Sequence, residues 1–305
     1  MVKLIKYIFF LVIVIIIGLI TFEMQLRRIP NDYKLKANYL KQKGEKVETL
    51  ILGSSHTFYG VNPHLISNAY NLAHSSKSYD LDWEILKTYD KYLPNLKTII
   101  LPSSYFSYVH VVGNSTQRHL LKNYELYYGI DVNEYDLSLN SELFSMPFLD
   151  NFIRYKDHLL GENNTVTIDE KGFINKRKKF NYQAYNSVKT VNKHTQKLSY
   201  ENINKNFLGL NNILDFAKKN NIKVILVTTP VASVYRKNVD QEQYNYWKQT
   251  TTKLVNSYKN VEWVDFFEND SIFKKSDFVD TDHLSLLGAN KVTKELKKYI
   301  NQKRS

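Results

Sequence analysis

Gly53-Ser54-Ser55-His56 stands directly after the apolar run 47–52. A glycine at a strand end permits a tight turn, and a helix starting there turns its first amides toward whatever the serines hold. A serine so placed has an exposed hydroxyl beside oxyanion donors, as nucleophilic acyl chemistry requires. The same pattern is also an ordinary helix cap. Near the far end, Asp280-Thr281-Asp282-His283 precedes a last helix-like segment. An aspartate three residues ahead of a histidine on one turn can orient the imidazole, which can then reach a serine on a neighbouring strand edge. Asp282 competes for that role with poorer geometry, being adjacent to His283. Alone, this stretch too reads as a cap. Serine near the start with histidine and aspartate near the end, all at loop tips, is a rarer coincidence. The chain has no cysteine, so thiol nucleophiles, disulfides and cysteine-ligated metals are excluded. Asp280, Asp282, His283 and His56 offer ligand atoms, but no spacing such as His-Glu-x-x-His supports them; no metal or cofactor is expected.

These residues need strands to carry them. The apolar run 47–52 ends at Gly53, a second strand fits 69–73, and 80–93 shows apolar residues at helical spacing. A third strand fits 97–101, stopped by Pro102. The alternation resumes with a helix over 206–220, a long strand over 222–229 closed by Pro230, and a helix over 241–258. A strand over 261–266 and a helix over 285–302 complete it. Strand and helix in alternation predict an α/β fold with a parallel, doubly wound sheet. Between 105 and 194 the alternation is lost. That stretch is polar and rich in Tyr and Asn, and reads as an insertion, about 106–200, of helices and loops rising from the C-terminal edge of the sheet, where such folds place ligands. It includes Gly161-Glu-Asn-Asn-Thr165.

With these residues in place, the chain resembles the SGNH/GDSL hydrolase superfamily, whose nucleophile lies in an N-terminal Gly-Asp-Ser block and whose Asp-x-x-His lies just before the C-terminal helix. Gly53-Ser54-Ser55 fits the first block and Asp280 with His283 the last. The longer segments Gly53-Ser-Ser-His-Thr-Phe-Tyr-Gly-Val-Asn-Pro63 and Asn71-Leu-Ala-His-Ser-Ser-Lys-Ser78 resemble the membrane-anchored branch related to alginate O-acetylation and teichoic-acid D-alanylation proteins, which work beside a membrane-bound O-acyltransferase. The resemblance covers 47–105 and 205–300. It implies a flavodoxin-like three-layer fold over 47–305, with Ser55 as nucleophile, His283 as base and Asp280 as its orienting group. Ser76 stands where the family has an oxyanion-hole glycine, and its main-chain N–H would still serve. The family's third-block asparagine is replaced by Pro102-Ser103-Ser104-Tyr105, with Ser104 as a substitute hydroxyl donor. Two roles are open for His56, a substrate contact near the hole and an ordinary surface histidine.

Residues 7–22 carry no charge, and from Leu4 to Phe22 a helix spans roughly 28 Å, close to a bilayer's hydrocarbon thickness. Glu23-Met24-Gln25-Leu26 offers no small residues for signal cleavage, so 1–28 reads as an uncleaved anchor followed by a helical linker over 29–46. Lys3 and Lys6 favour an inside N-terminus, whereas Arg27, Arg28, Lys34 and Lys36 weigh the other way; charge leaves orientation tied. The net charge is +12. Residues 1–22 contribute only Lys3 and Lys6, so most of the surplus lies beyond the anchor. Its densest run is Lys176-Arg177-Lys178-Lys179, read as solvated surface, and no nucleic-acid motif accompanies it. A membrane surface or an anionic cell-envelope polymer fits the charge. The resemblance then implies extracytoplasmic O-acyl transfer, or ester hydrolysis, on a polysaccharide or teichoic-type polymer. The alternative is a non-catalytic binding protein that partners a membrane-bound O-acyltransferase.

Overall fold

The computed structural model describes residues 1–132, 135–162, 165–177, 179–196 and 198–302. Lys178 of the basic run and Asn163 and Asn164 of the inserted stretch lie outside them. Five strands, β1 (Thr49–Ile51), β2 (Ala69–Asn71), β3 (Thr98–Pro102), β4 (Lys223–Thr228) and β5 (Val261–Asp265), form one all-parallel sheet in the order β2-β1-β3-β4-β5. Leu50 pairs with Tyr70 and Ile99, Ile100 with Ile225, and Leu226 with Trp263. Every residue of β1 to β4 is buried, which is why these segments read as unbroken apolar runs rather than alternating ones.

The principal helices are α1 (Val2–Arg28), α2 (Asp32–Lys43), α3 (Ser55–Gly60), α4 (Tyr79–Tyr89), α5 (Phe148–Leu159), α6 (Tyr200–Lys219), α7 (Gln241–Ser257) and α8 (Leu286–Asn301), joined by shorter helical turns. Two ends differ from the sequence expectation. α4 stops at Tyr89 and finishes in a 3-10 turn, Asp90–Tyr92. α6 begins at Tyr200, not 206, because Ser199 accepts from the Asn202 N–H and caps a polar first turn that carries no apolar signal. Ile51, Ile100, Ile225 and Val227 pack with Val292 and Leu296 of α8 into one core. α6 lies against α4 at Gly209, where a Cβ would stand 2.7 Å from the Asp80 backbone.

The chain divides into two compact units. Residues 1–37 group with 118–167, and 38–117 with 168–305. The long insertion expected within a single 47–305 domain is therefore split between them. The reason lies in its own side chains. In the first unit, the Glu23 carboxylate accepts from Ser141 Oγ at 2.8 Å and from the Leu143 N–H at 2.7 Å, and Phe22 packs on Phe148 and Tyr155. Leu26, Ile29 and Leu143 close a small apolar cluster there. α1 is long and apolar enough to cross a membrane, and none of its apolar window is buried in protein. The expected linker 29–46 is mostly α2. The second unit holds the whole sheet.

Candidate active site

In a parallel sheet the chain leaves every strand at the same edge, so residues following β1, β2 and β3 are neighbours. β1 lies between β2 and β3, which sets the Gly53–Ser55 turn between the Ser75–Ser76 turn and Ser103–Ser104. Gly53 makes the turn possible. Its φ is +102°, and a Cβ would stand 2.1 Å from Pro102 Cδ. Its N–H donates to Asp82 Oδ1 at 3.0 Å, and that carboxylate is paired in the interior with Lys77 at 2.6 Å. Thr57 Oγ1 donates to Leu52 O at 2.6 Å and holds the first turn of α3 to the end of β1.

Ser54 is the N-cap of α3, accepting from the His56 N–H at 3.4 Å, and is buried. The capping role expected of this motif thus falls to Ser54 and leaves Ser55, half-exposed at the first helical position, to line a cleft. At the other end of the chain, Ser285 caps α8, and the Asp280 carboxylate does something else. It accepts from the His283 N–H at 2.8 Å and faces His283 Nδ1 at 2.9 Å. An imidazole whose Nδ1–H is bound to a carboxylate carries its lone pair on Nε2, the tautomer a general base needs. Ser55, Ser76, Asp280 and His283 line one cleft of about 220 Å³ together with Tyr59 and His194. An adjoining hollow of about 430 Å³ shares Ser55, Ser76 and His194 and adds His110, Lys193 and Gln196.

Ser76 has φ +62°, in the left-handed region that favours glycine. Its carbonyl faces His110 Nε2 at 3.1 Å, which fixes the peptide's direction.

Two expected site residues fall elsewhere. His56, expected at substrate or on the surface, is interior: Nδ1 lies 2.7 Å from Ser104 Oγ and Nε2 lies 3.2 Å from Asp282 Oδ2. The helical turn sends its side chain away from the cleft that its neighbour Ser55 lines. Ser104, expected as an oxyanion donor, is equally buried, and with a neutral His56 its proton is committed to that ring. Asp282, the rival for orienting His283, stands 3.6 Å from its Nδ1, farther than Asp280. Burial alone would raise the Asp282 carboxyl, but His283, His56 and His194 around it hold it far below its usual range.

The sequence reading missed several residues. His194 lines both hollows, stacks on Phe106 at 4.1 Å and faces Tyr235 Oη at 2.8 Å. Burial holds its imidazole down at about 3, so it is neutral at physiological pH. Burial also lowers His110. Tyr59 packs on His283 at 4.9 Å. Arg177, read as part of a solvated basic run, is half-buried; its guanidinium donates to Leu284 O at 2.7 Å and Tyr59 O at 3.0 Å, and burial brings it down to about 10. It ties the helix that begins with Ser55 to the residue after His283. Asp280, Asp282 and His283 also present ligand atoms within 4.8 Å of one another, but His283 Nδ1 and Asp280 already satisfy each other.

Residues 151–305, a little over half of the chain, match a protein-family model, and the chain belongs to the family that model describes. The match takes in β4, β5 and the Asp280–His283 turn. No curated protein matches the chain. Among solved structures, one described as that of a "putative platelet activating factor from Streptococcus pneumonia" is similar with a TM-score of 0.45 and 15% identity, over 95% of this chain and 98% of that one.

Proposed function

We propose that this protein is a membrane-anchored serine-dependent acyltransferase or esterase of the SGNH type, facing outward and acting on an anionic cell-envelope polysaccharide or teichoic-type polymer. The observation that carries it is the shared cleft of Ser55 and His283, with His283 Nδ1 held by Asp280 at 2.9 Å. The all-parallel strand order β2-β1-β3-β4-β5 supports the doubly wound, flavodoxin-like fold this reading needs. Lys193 in the larger hollow suits an anionic chain, and α1 suits an anchor.

In this mechanism His283 Nε2 takes the Ser55 proton as Oγ attacks an acyl carbonyl. The tetrahedral oxyanion accepts hydrogen bonds from the Ser55 and Ser76 main-chain N–H groups. His283 returns the proton to the leaving oxygen, and the acyl group stays on Ser55 as an ester. A polymer hydroxyl, deprotonated by His283, then takes the acyl group, or water does. The two outcomes are transfer and hydrolysis. A membrane-bound O-acyltransferase as acyl supplier follows from the resemblance alone.

One observation favours a second reading, a non-catalytic binding partner of such an acyltransferase: the Ser104 hydroxyl is engaged by His56, so no third oxyanion donor comes from β3. Treating the full-length protein in detergent with a fluorophosphonate and with p-nitrophenyl acetate separates the two. The acyl-enzyme reading expects a burst and a label on Ser55, both lost in Ser55→Ala. No burst and no label on wild type would establish the binding role instead.

A further inference from the structure

α5 is built inside out. Its inward side carries Asn151, fully buried, whose amide donates to Leu143 O at 2.9 Å, and Arg154, which donates to the buried Glu142 carboxylate at 2.7 Å. Glu142 in turn takes Lys122 at 2.9 Å. The outward side carries Phe148, Leu149, Phe152, Ile153, Leu159 and Leu160, each between 44% and 66% exposed. At 100° per residue these six fall within one sector, and the polar Asp150 and Asp157 fall outside it. Lys156 lies within the sector, on a stem long enough to carry its ammonium to headgroup level. Polar groups pin the helix down, then, and a continuous apolar stripe is left facing out.

What covers the stripe follows from where α5 is attached. Phe22, at the last turn of the apolar span of α1, packs on Phe148 at 5.5 Å and on Tyr155 at 5.8 Å. Glu23, the first charge after that span, accepts from the N–H groups of Glu142 and Leu143 just ahead of α5. The stripe therefore starts where the span leaves the hydrocarbon, and an apolar helix face at that depth meets lipid. A helix with a continuous Phe- and Leu-rich face opposite a polar one is the pattern of a helix lying in the membrane interface.

We propose that α5 lies in the membrane interface with Leu149, Phe152 and Ile153 submerged among the acyl chains, so that the first unit grips the bilayer by a transmembrane helix and an in-plane helix together. This rests on α1 being a membrane anchor. Since the chain has no cysteine, single substitutions can be labelled cleanly in the full-length protein. Val14→Cys, Leu149→Cys, Phe152→Cys and Asp157→Cys, each carrying an environment-sensitive NBD fluorophore, are reconstituted in phosphatidylcholine–phosphatidylglycerol vesicles with acyl-chain nitroxide lipid. The proposal expects blue-shifted emission and lipid quenching at 14, 149 and 152, with 157 in water. Quenching at 14 with 149 and 152 in water overturns the proposal and leaves the anchor standing. Label 14 in water overturns the anchor itself. Labels at 149 and 152 shielded from both water and lipid nitroxide show that protein covers the stripe, and overturn it as well.

Discussion

His56 Nε2 and Asp282 Oδ2 meet at 3.2 Å in the interior although 226 residues separate them in the chain. Each is the immediate neighbour of a cleft residue, His56 following Ser55 and Asp282 preceding His283. The buried pair fastens together, from beneath, the two turns whose outward side chains would do the chemistry. The two aspartates of the Asp280–His283 turn therefore divide the work: one faces the cleft histidine and the other the structural one.

That division is measurable. Asp280→Ala should lower turnover about a hundredfold or more, since it frees the wrong tautomer of His283, with little change in Tm. Asp282→Ala leaves the buried His56 Nε2 without its hydrogen-bond partner and should cost about 1–3 kcal/mol of stability in chemical denaturation. The opposite pattern, with Asp282→Ala stable but inactive, would make Asp282 the orienting residue.

Gly53 is required by geometry rather than by chemistry. A Cβ there would meet Pro102 at 2.1 Å in a backbone region hostile to side chains, whereas Gly129, at φ +68°, has open space around it. Gly53→Ala should cost on the order of 3 kcal/mol or more, combining steric overlap with backbone strain. Gly129→Ala should cost about 1 kcal/mol, the left-handed backbone alone. Equal losses in urea titrations would contradict the close approach to Pro102.

Acid should unfold the protein earlier than its carboxylates alone would. His194 titrates at about 3 when folded against 6.5 when unfolded. Between those values the unfolded chain takes up a proton that the folded one refuses, so stability falls as pH drops below about 6.5, by up to ~1.4 kcal/mol per unit. His110, also lowered by burial, adds in the same direction. Asp282 is depressed in the folded state, so its stabilisation holds above its unfolded value of 3.8 and fades only below it. Between 6.5 and about 4.5 the histidines drive the loss, and Asp82, which burial raises above 3.8, opposes it, because the folded chain takes up that proton first. His194→Gln should flatten the loss in urea titrations of the detergent-solubilised protein; an unaltered slope would place the proton elsewhere.

β1, β3 and β4 were legible because burial on both faces turns each into an apolar run closed by Gly53, Pro102 or Pro230, and Ser55 stands just beyond the first of them. What was not legible came from long-range packing. His194 enters the site because it stacks on Phe106 and bonds Tyr235, neither of which leaves a periodic trace. Arg177 sits in a lysine run without periodic signal, and its two carbonyl acceptors and its place over the Phe173 ring arise from tertiary packing. His56 and Ser104 were misplaced for a different reason. Proximity in sequence to a cleft residue suggested the cleft, while the turn of α3 and the burial of the chain after β3 point both side chains inward.

Ser76 offers the sharpest test of how the site treats a developing oxyanion. The residue holds φ +62°, where a side chain costs about 1 kcal/mol and glycine costs nothing. If only its main-chain N–H matters, Ser76→Gly should raise stability by about 0.5–1 kcal/mol and leave turnover within twofold or so, because the donor is unchanged. Ser76→Ala keeps the N–H and the strain, and should match wild type in both respects. A turnover loss of about a hundredfold in Ser76→Ala would instead assign the work to the hydroxyl, since that is the loss expected when a single oxyanion donor is removed. Steady-state ester hydrolysis and thermal melts on the three proteins read both quantities at once.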